Sequence, residues 1–190
     1  MSSLKVLLLS AVMLVSCAGA VVAHPHILAV ADGRVIDFSE LLSELEDTRV
    51  LFVGEQHDHP GHHAMQLELI RALHPRAPLA IGLEMFQAQD QDELNRWTAG
   101  QSDVSDFRQI YQQNWGWWSL YEPIFSYARR YGIPMVGLNL PRSITQQVAH
   151  SGFSSLDQEQ LDFLGGITCS VDVSYEDFIR RALGAHGHGS

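Results

Sequence analysis

The 190-residue chain has two cysteines, Cys17 and Cys169, and Cys17 lies in a segment expected to be processed. That leaves no pair for a disulfide framework, so stability has to come from a packed core. Basic residues are few, with 12 Lys and Arg against 22 Asp and Glu and a formal charge of −10. No basic stripe is left to meet a phosphate backbone, which argues against nucleic acid as a partner. Long apolar runs are missing too. The longest, Val6 to Val15, is about ten residues, half of what a spanning helix requires. There is no internal repeat, and the only biased stretch is a Gly/His tail from Gly184 to Ser190.

What the chain does have begins at its N-terminus. Lys5 is the only charge before Asp32, the apolar run follows, and small residues come next at Ser16, Cys17, Ala18, Gly19 and Ala20. This is the three-part pattern of a secretory leader over residues 1–23. Two cleavage sites compete. Leu14-Val15-Ser16-Cys17 is similar to a bacterial lipobox, whose cysteine becomes the lipidated first residue. Val21-Val22-Ala23 is similar to an ordinary peptidase site. The lipobox lies directly at the end of the apolar run, so lipidation of Cys17, a membrane tether and an address in the bacterial envelope are the expectation. The remaining residues, 24–190, are enough for a single domain, and 46% hydrophobic content suits a globular one.

Along that domain, Ile27 to Val30 and Val35-Ile36 flank Asp32-Gly33 and predict a hairpin. Ser39 is placed to cap a helix through Leu45. Val50 to Val53, Leu79 to Leu83 and Pro134 to Leu138 are continuous apolar runs, the pattern of strands buried on both faces. Helical spacing fills the intervals: Pro60 to Leu73, Asp90 to Trp97, Val104 to Gln112, Leu120 to Tyr131, from Ser143 onward, Ser155 to Leu164 and Tyr175 to Leu183. Strands alternating with helices predict an α/β fold, a parallel-stranded sheet with flanking helices.

In such a sheet ligands gather at the carboxyl ends of the strands. Three polar segments qualify: Gly54 to His59, Glu84-Met85-Phe86 and Asn139-Leu140-Pro141-Arg142. Glu55 and His57, two apart on an extended segment, share a side, and Glu84 arrives from the next strand end. An imidazole with two carboxylates is a usable divalent-metal set and also supplies a general base. The structural alternatives are a hydrogen-bonded His57 and a Glu84 paired with Arg142. His59 and His62 are three apart, so they form either a second metal site or a solvated first turn. The His57-Asp58-His59 triplet also has the His-x-His look of barrel amidohydrolases, but those barrels need about 250 residues. The aromatics Tyr111, Trp115, Trp117, Trp118, Tyr121 and Phe125 serve either as core or as a wall for a large flat ligand. In the second case Tyr121 is a candidate phenolate ligand to ferric iron, and Arg142 or the Arg129-Arg130 pair a partner for the ligand's carboxylates.

Gly54-Glu55-Gln56-His57, Leu83-Glu84-Met85-Phe86, Trp118 to Pro123 and Leu138 to Arg142 follow one another in an order that resembles ChaN-like proteins, iron-regulated haem-binding lipoproteins of the Tiki superfamily. The resemblance runs from about Asp47 to Leu183. It implies haem as cofactor, iron or haem uptake at the outer membrane, a homodimer with haem at its interface, and His57 and Glu84 lining the site, with Tyr121, Asn139 and Arg142 as further cofactor contacts. The superfamily also holds metal-dependent proteases with a Gly-x-x-His motif, matched by Gly54 to His57, and is related to erythromycin-esterase-like enzymes. The alternative expectation is therefore a metal-dependent hydrolase using Glu55, His57 and Glu84. A third is a metal scavenger using the His cluster and the tail. Members of the family usually run on for roughly a hundred residues, with a Gly-Asn-x-His-type segment that completes the cleft, so a C-terminally shortened domain is expected here.

Overall fold

The computed structural model describes residues 26–165 and 172–185. The leader, both cysteines and the tail from His186 lie outside them. The chain divides between Phe52 and Val53 into two units.

In the first unit, β1 (Ile27–Ala29) and β2 (Arg34–Ile36) form the expected antiparallel hairpin, with Ile27 opposite Ile36. Gly33, at φ 73°, turns the chain in the left-handed region that glycine enters without a Cβ penalty. Helix α1 (Phe38–Glu44) follows. Its cap is Asp37, not Ser39: the Asp37 carboxylate accepts the Glu40 amide at 2.8 Å, while the Ser39 hydroxyl donates to Asp37 at 2.6 Å. A carboxylate at the positive helix end outcompetes the neutral hydroxyl two residues later. Arg34 joins hairpin to helix, bonded to Asp32 at 2.6 Å, to Glu44 at 3.1 Å and to Glu40.

The second unit carries helix α2 (Pro60–Leu73), strand β3 (Ile81–Gln87), helices α3 (Gln91–Thr98), α4 (Val104–Asn114) and α5 (Trp118–Tyr131), strand β4 (Met135–Asn139), and helices α6 (Arg142–Ser151), α7 (Gln158–Phe163) and α8 (Val173–Ala185). Helix α2 starts on the residue expected, because Pro60 at its first position has φ preset and no amide to leave unpaired. Helix α5 stops at Gly132, whose φ of 64° lets its amide reach the Ala128 and Arg129 carbonyls.

β3 and β4 pair in parallel, as expected of an α/β fold, with Ile81 opposite Met135 and Leu83 opposite Gly137. Beyond that point the ladder is irregular: β3 advances to Gln87 while β4 advances only to Asn139. Gly137 lies at this crowding, where a Cβ would stand 2.4 Å from the Gln87 carbonyl oxygen. The Gln91 side chain completes the strand edge, donating to the Met135 carbonyl at 2.8 Å and accepting the Gly137 amide at 3.2 Å.

The core lies on one face of this pair. Leu83, Met85, Phe86 and Met135 pack with Leu94 and Trp97 of α3, Phe107 and Tyr111 of α4, and Tyr121, Phe125 and Ala128 of α5. Trp97 stacks on Phe107 at 4.2 Å and donates its indole N–H to the Phe125 carbonyl at 2.9 Å. Each fully buried ring here contributes about 1.5–3 kcal/mol. The other face differs from expectation: Gly82, Glu84, Val136 and Leu138 are exposed, so burial alternates over Ile81 to Met85 and Met135 to Leu138. Val50 to Val53 also depart from expectation, since they join no ladder and leave Phe52 91% exposed. An apolar run carries the pattern of a buried strand, but burial needs a neighbouring strand to pair with it.

Candidate functional site

Four side chains converge on Glu55, which is largely buried in the loop leading into α2. The Tyr121 hydroxyl donates to its Oε1, and His57 Nδ1 lies 3.0 Å from the same oxygen. Gln66 donates to Oε2 at 2.7 Å, and His63 Nδ1 lies 3.3 Å from Oε2. Trp115 in turn donates its indole N–H to the Tyr121 oxygen at 3.1 Å, and its ring meets that of His57 edge-on at 4.7 Å.

The local sequence explains this assembly. Glu55 and His57 are two apart on extended backbone and so face the same way. His63 and Gln66 are three apart on α2 and share its inner face, and Tyr121 comes from the first turn of α5. His63 is the best-buried polar group of the set, 3% exposed, with its ring 4.3 Å from that of Tyr121. Its Nε2 donates to the His57 carbonyl at 3.0 Å. Its Nδ1 faces only acceptors, Glu55 and the Gln66 amide oxygen at 3.3 Å. His62 fastens the loop as well, accepting the Gln56 amide at 2.8 Å, and His59 stacks on it at 4.2 Å. The His cluster is thus mainly a clamp on the loop that presents Glu55 and His57.

Burial alone raises the Glu55 pKa, but the bonds from Tyr121, His57 and Gln66 and the charge of His63 outweigh it. They hold the carboxyl below its ordinary 4.5. Tyr121 goes the other way. Burial, the bond to Glu55 and the charges of Glu55 and Glu84 raise its pKa well above 10, against a smaller opposing effect of Trp115. Tyr111 is raised likewise, by burial first. Both phenols therefore stay protonated. Tyr121, 1% exposed and committed to Glu55, is set to orient the carboxylate, and serving as a phenolate ligand would require it to give up that bond.

Glu84 lies in the middle of β3 instead of at its end, because the ladder continues through Phe86 to Gln87. Its side chain is on the exposed face and reaches the cluster only through its charge. The metal set expected from Glu55, His57 and Glu84 is accordingly not assembled: among the described residues, no three His, Cys, Asp or Glu side chains are gathered to hold an ion. Glu55 is saturated by donors and Glu84 faces elsewhere.

The strand ends carry a second polar group. Asn139 donates to the Glu84 carbonyl at 3.2 Å. Gln87 donates to Asn114 at 2.7 Å and accepts the Arg142 amide at 3.3 Å, and Asn114 donates to Asp90 at 3.2 Å. The Arg142 guanidinium is bonded to the Asn114 carbonyl at 3.4 Å and is otherwise exposed. Gln66, Gln87, Asp90 and Asn114 were not among the expected site residues, and His63 was expected only as a member of the His57, His59, His62 and His63 cluster. The inner-face spacing of His63 and Gln66 was the one available signal.

The loop into α5 has an unusual backbone. Trp117 has φ 52° and ψ 40°, the left-handed region, at a cost of about 1–2 kcal/mol for a bulky L-residue. It is 54% exposed.

The fold of the chain is that of a solved structure titled "Cofacial heme binding to ChaN of Campylobacter jejuni": TM-score 0.63, 18% identity, 86% of this chain and 65% of that one. Protein RETICULATA-RELATED 5, chloroplastic, of Arabidopsis thaliana is 25% identical over 133 residues, covering 65% of this chain. The chain spans 18% of the length of that plant protein. Residues 41–190 match the family described as haem-binding uptake, Tiki superfamily, ChaN, and the chain belongs to that family.

Proposed function

We propose that this chain binds haem, with Nε2 of His57 as iron ligand, and serves haem or iron uptake at the cell envelope. One observation carries the reading. His57 has its Nδ1 on an ionised carboxylate while its side chain remains 44% exposed. A carboxylate on Nδ1 fixes the N–H there and leaves the Nε2 lone pair for a metal. Among the described residues Nε2 takes no hydrogen bond. Haem, when bound, would supply an iron centre that such an imidazole can ligate. Glu55 holds the ring, Tyr121, Gln66 and His63 hold Glu55, Trp115 flanks the ring, and Arg142 offers a cation for the ligand's carboxylates.

Titration with hemin, followed in the Soret region, tests this. The wild-type chain gives a sharp, saturable band, His57→Ala loses it, and added imidazole restores it. A spectrum of free hemin in the wild type, or equal binding by His57→Ala, sinks the proposal. The leader supports the address: Cys17→Ser then moves the protein from the membrane fraction to the soluble envelope fraction. The resemblance supports a homodimer with haem at its interface, checked by sedimentation with and without hemin.

A further inference from the structure

Trp117 is an expensive residue in its position. The chain is pinned on both sides of it. Trp115 is tied through its amide to the Tyr111 carbonyl at 2.9 Å and through its indole to Tyr121. Gly116 accepts the Tyr111 hydroxyl, and Trp118 packs against Tyr111 at 5.2 Å and Phe125 at 5.6 Å. These anchors force residue 117 into the left-handed region, which glycine enters freely. Yet the glycine stands one place earlier, at Gly116, where φ is not positive. The tryptophan makes no side-chain cap on α5, and the residue is more than half exposed. Strain of this kind, held by its surroundings, collects at ligand sites. The Cα of Trp117 lies within about 7 Å of that of Trp115, whose ring touches His57.

We infer that Trp117 is a binding residue for a planar macrocycle, its indole stacking on the ring system held at His57. The inference rests on the haem reading and adds a contact with the organic ring, independent of the iron. An aromatic plate accepts a flat apolar face in offset or edge geometry, and the exposed Trp117, two residues from the Trp115 ring that touches His57, offers one.

The two roles separate by using hemin and metal-free protoporphyrin IX, titrated against wild type, Trp117→Gly, Trp117→Phe and His57→Ala. Trp117→Gly is expected to bind both macrocycles about tenfold more weakly, and its ligand-free form to melt roughly 2–4 °C higher because the strain is gone. Trp117→Phe recovers most of the affinity and none of the melting gain. His57→Ala weakens hemin and spares protoporphyrin. Unchanged binding of both macrocycles by Trp117→Gly overturns the inference and leaves the haem reading standing, as does a change in sedimentation with no change in affinity. A ligand-free Trp117→Gly that melts no higher overturns the strain argument. Wild type that binds protoporphyrin but not hemin removes the iron reading and keeps the plate. Wild type that binds neither removes both.

Discussion

Tyr121→Phe removes a single oxygen from the centre of the site. The ring still fills its place between His63, Tyr111 and Phe125, so no cavity forms and the change is confined to polar contacts. Two bonds go: the donation to Glu55, and the acceptance of the Trp115 indole N–H. A hydrogen bond to a charged group is worth about 1.5–3 kcal/mol, and a donor left without a partner costs about 1–3 kcal/mol. Trp115 is half-buried and water can reach it, so the second figure falls at its low end. The expected loss is about 2–4 kcal/mol, a fall in melting temperature of roughly 5–15 °C for a chain of this size. Urea unfolding followed by far-UV circular dichroism measures it. Glu55→Gln and the double variant complete a cycle whose coupling is expected near 1–2 kcal/mol. A Tyr121→Phe loss below about 0.5 kcal/mol, or strict additivity in the cycle, would falsify the claim that Tyr121 orients Glu55. Hemin adds a second arm: the variant keeps its Soret band, with affinity lowered only through a looser His57. Complete loss of the band would restore Tyr121 as the iron ligand.

Acid stability should depend on Glu55. Its folded pKa lies below 4.5, so its contribution is fully present above that value and is lost as pH falls through the lower folded one. Unfolding free energy measured from pH 7 to pH 2 should therefore drop along a limb that Glu55→Gln flattens; a limb unchanged in the variant assigns acid lability elsewhere. Gly137→Ala places a Cβ 2.4 Å from a backbone oxygen that no rotamer can move. It should cost about 2–3 kcal/mol by urea unfolding, and a cost near zero would show that the parallel pair can slide apart at its carboxyl end.

Much of the layout was legible because local chemistry decides it. Pro60 dictates where α2 begins, Asp32-Gly33 makes the hairpin, and the two-residue spacing of Glu55 and His57 puts them together wherever the backbone is extended. What sequence could not give is which neighbours arrive. Val50 to Val53 has the composition of a buried strand, but burial comes from partners that composition does not name. Glu84 looked like a strand terminus because a charge followed the apolar run Leu79 to Leu83; the sheet's outer face is exposed, so a charge mid-strand costs little and the ladder runs on to Gln87. Tyr121 was singled out for its oxygen, yet its role depends on Glu55, 66 residues earlier. Asn139 and Arg142 are expected cofactor contacts whose anchoring the sequence did not show: they are held through the Glu84 carbonyl, Gln87 and Asn114.

The state of Glu55 also separates the two chemistries that the Gly-x-x-His segment admits. A general base needs a free lone pair, and it works best with a pKa near the operating pH. Glu55 has donors on both oxygens and a pKa displaced below 4.5, away from neutrality. Giving up those bonds to take a proton or a metal would also leave the Tyr121 and Gln66 donors without their acceptor, and a buried donor left unpaired costs about 1–3 kcal/mol. A carboxylate tied down in this way is poorly suited to turnover and well suited to holding an imidazole still. The freedom that remains is on His57, at the nitrogen facing away from Glu55, and that is where a ligand-binding reading of this site requires it.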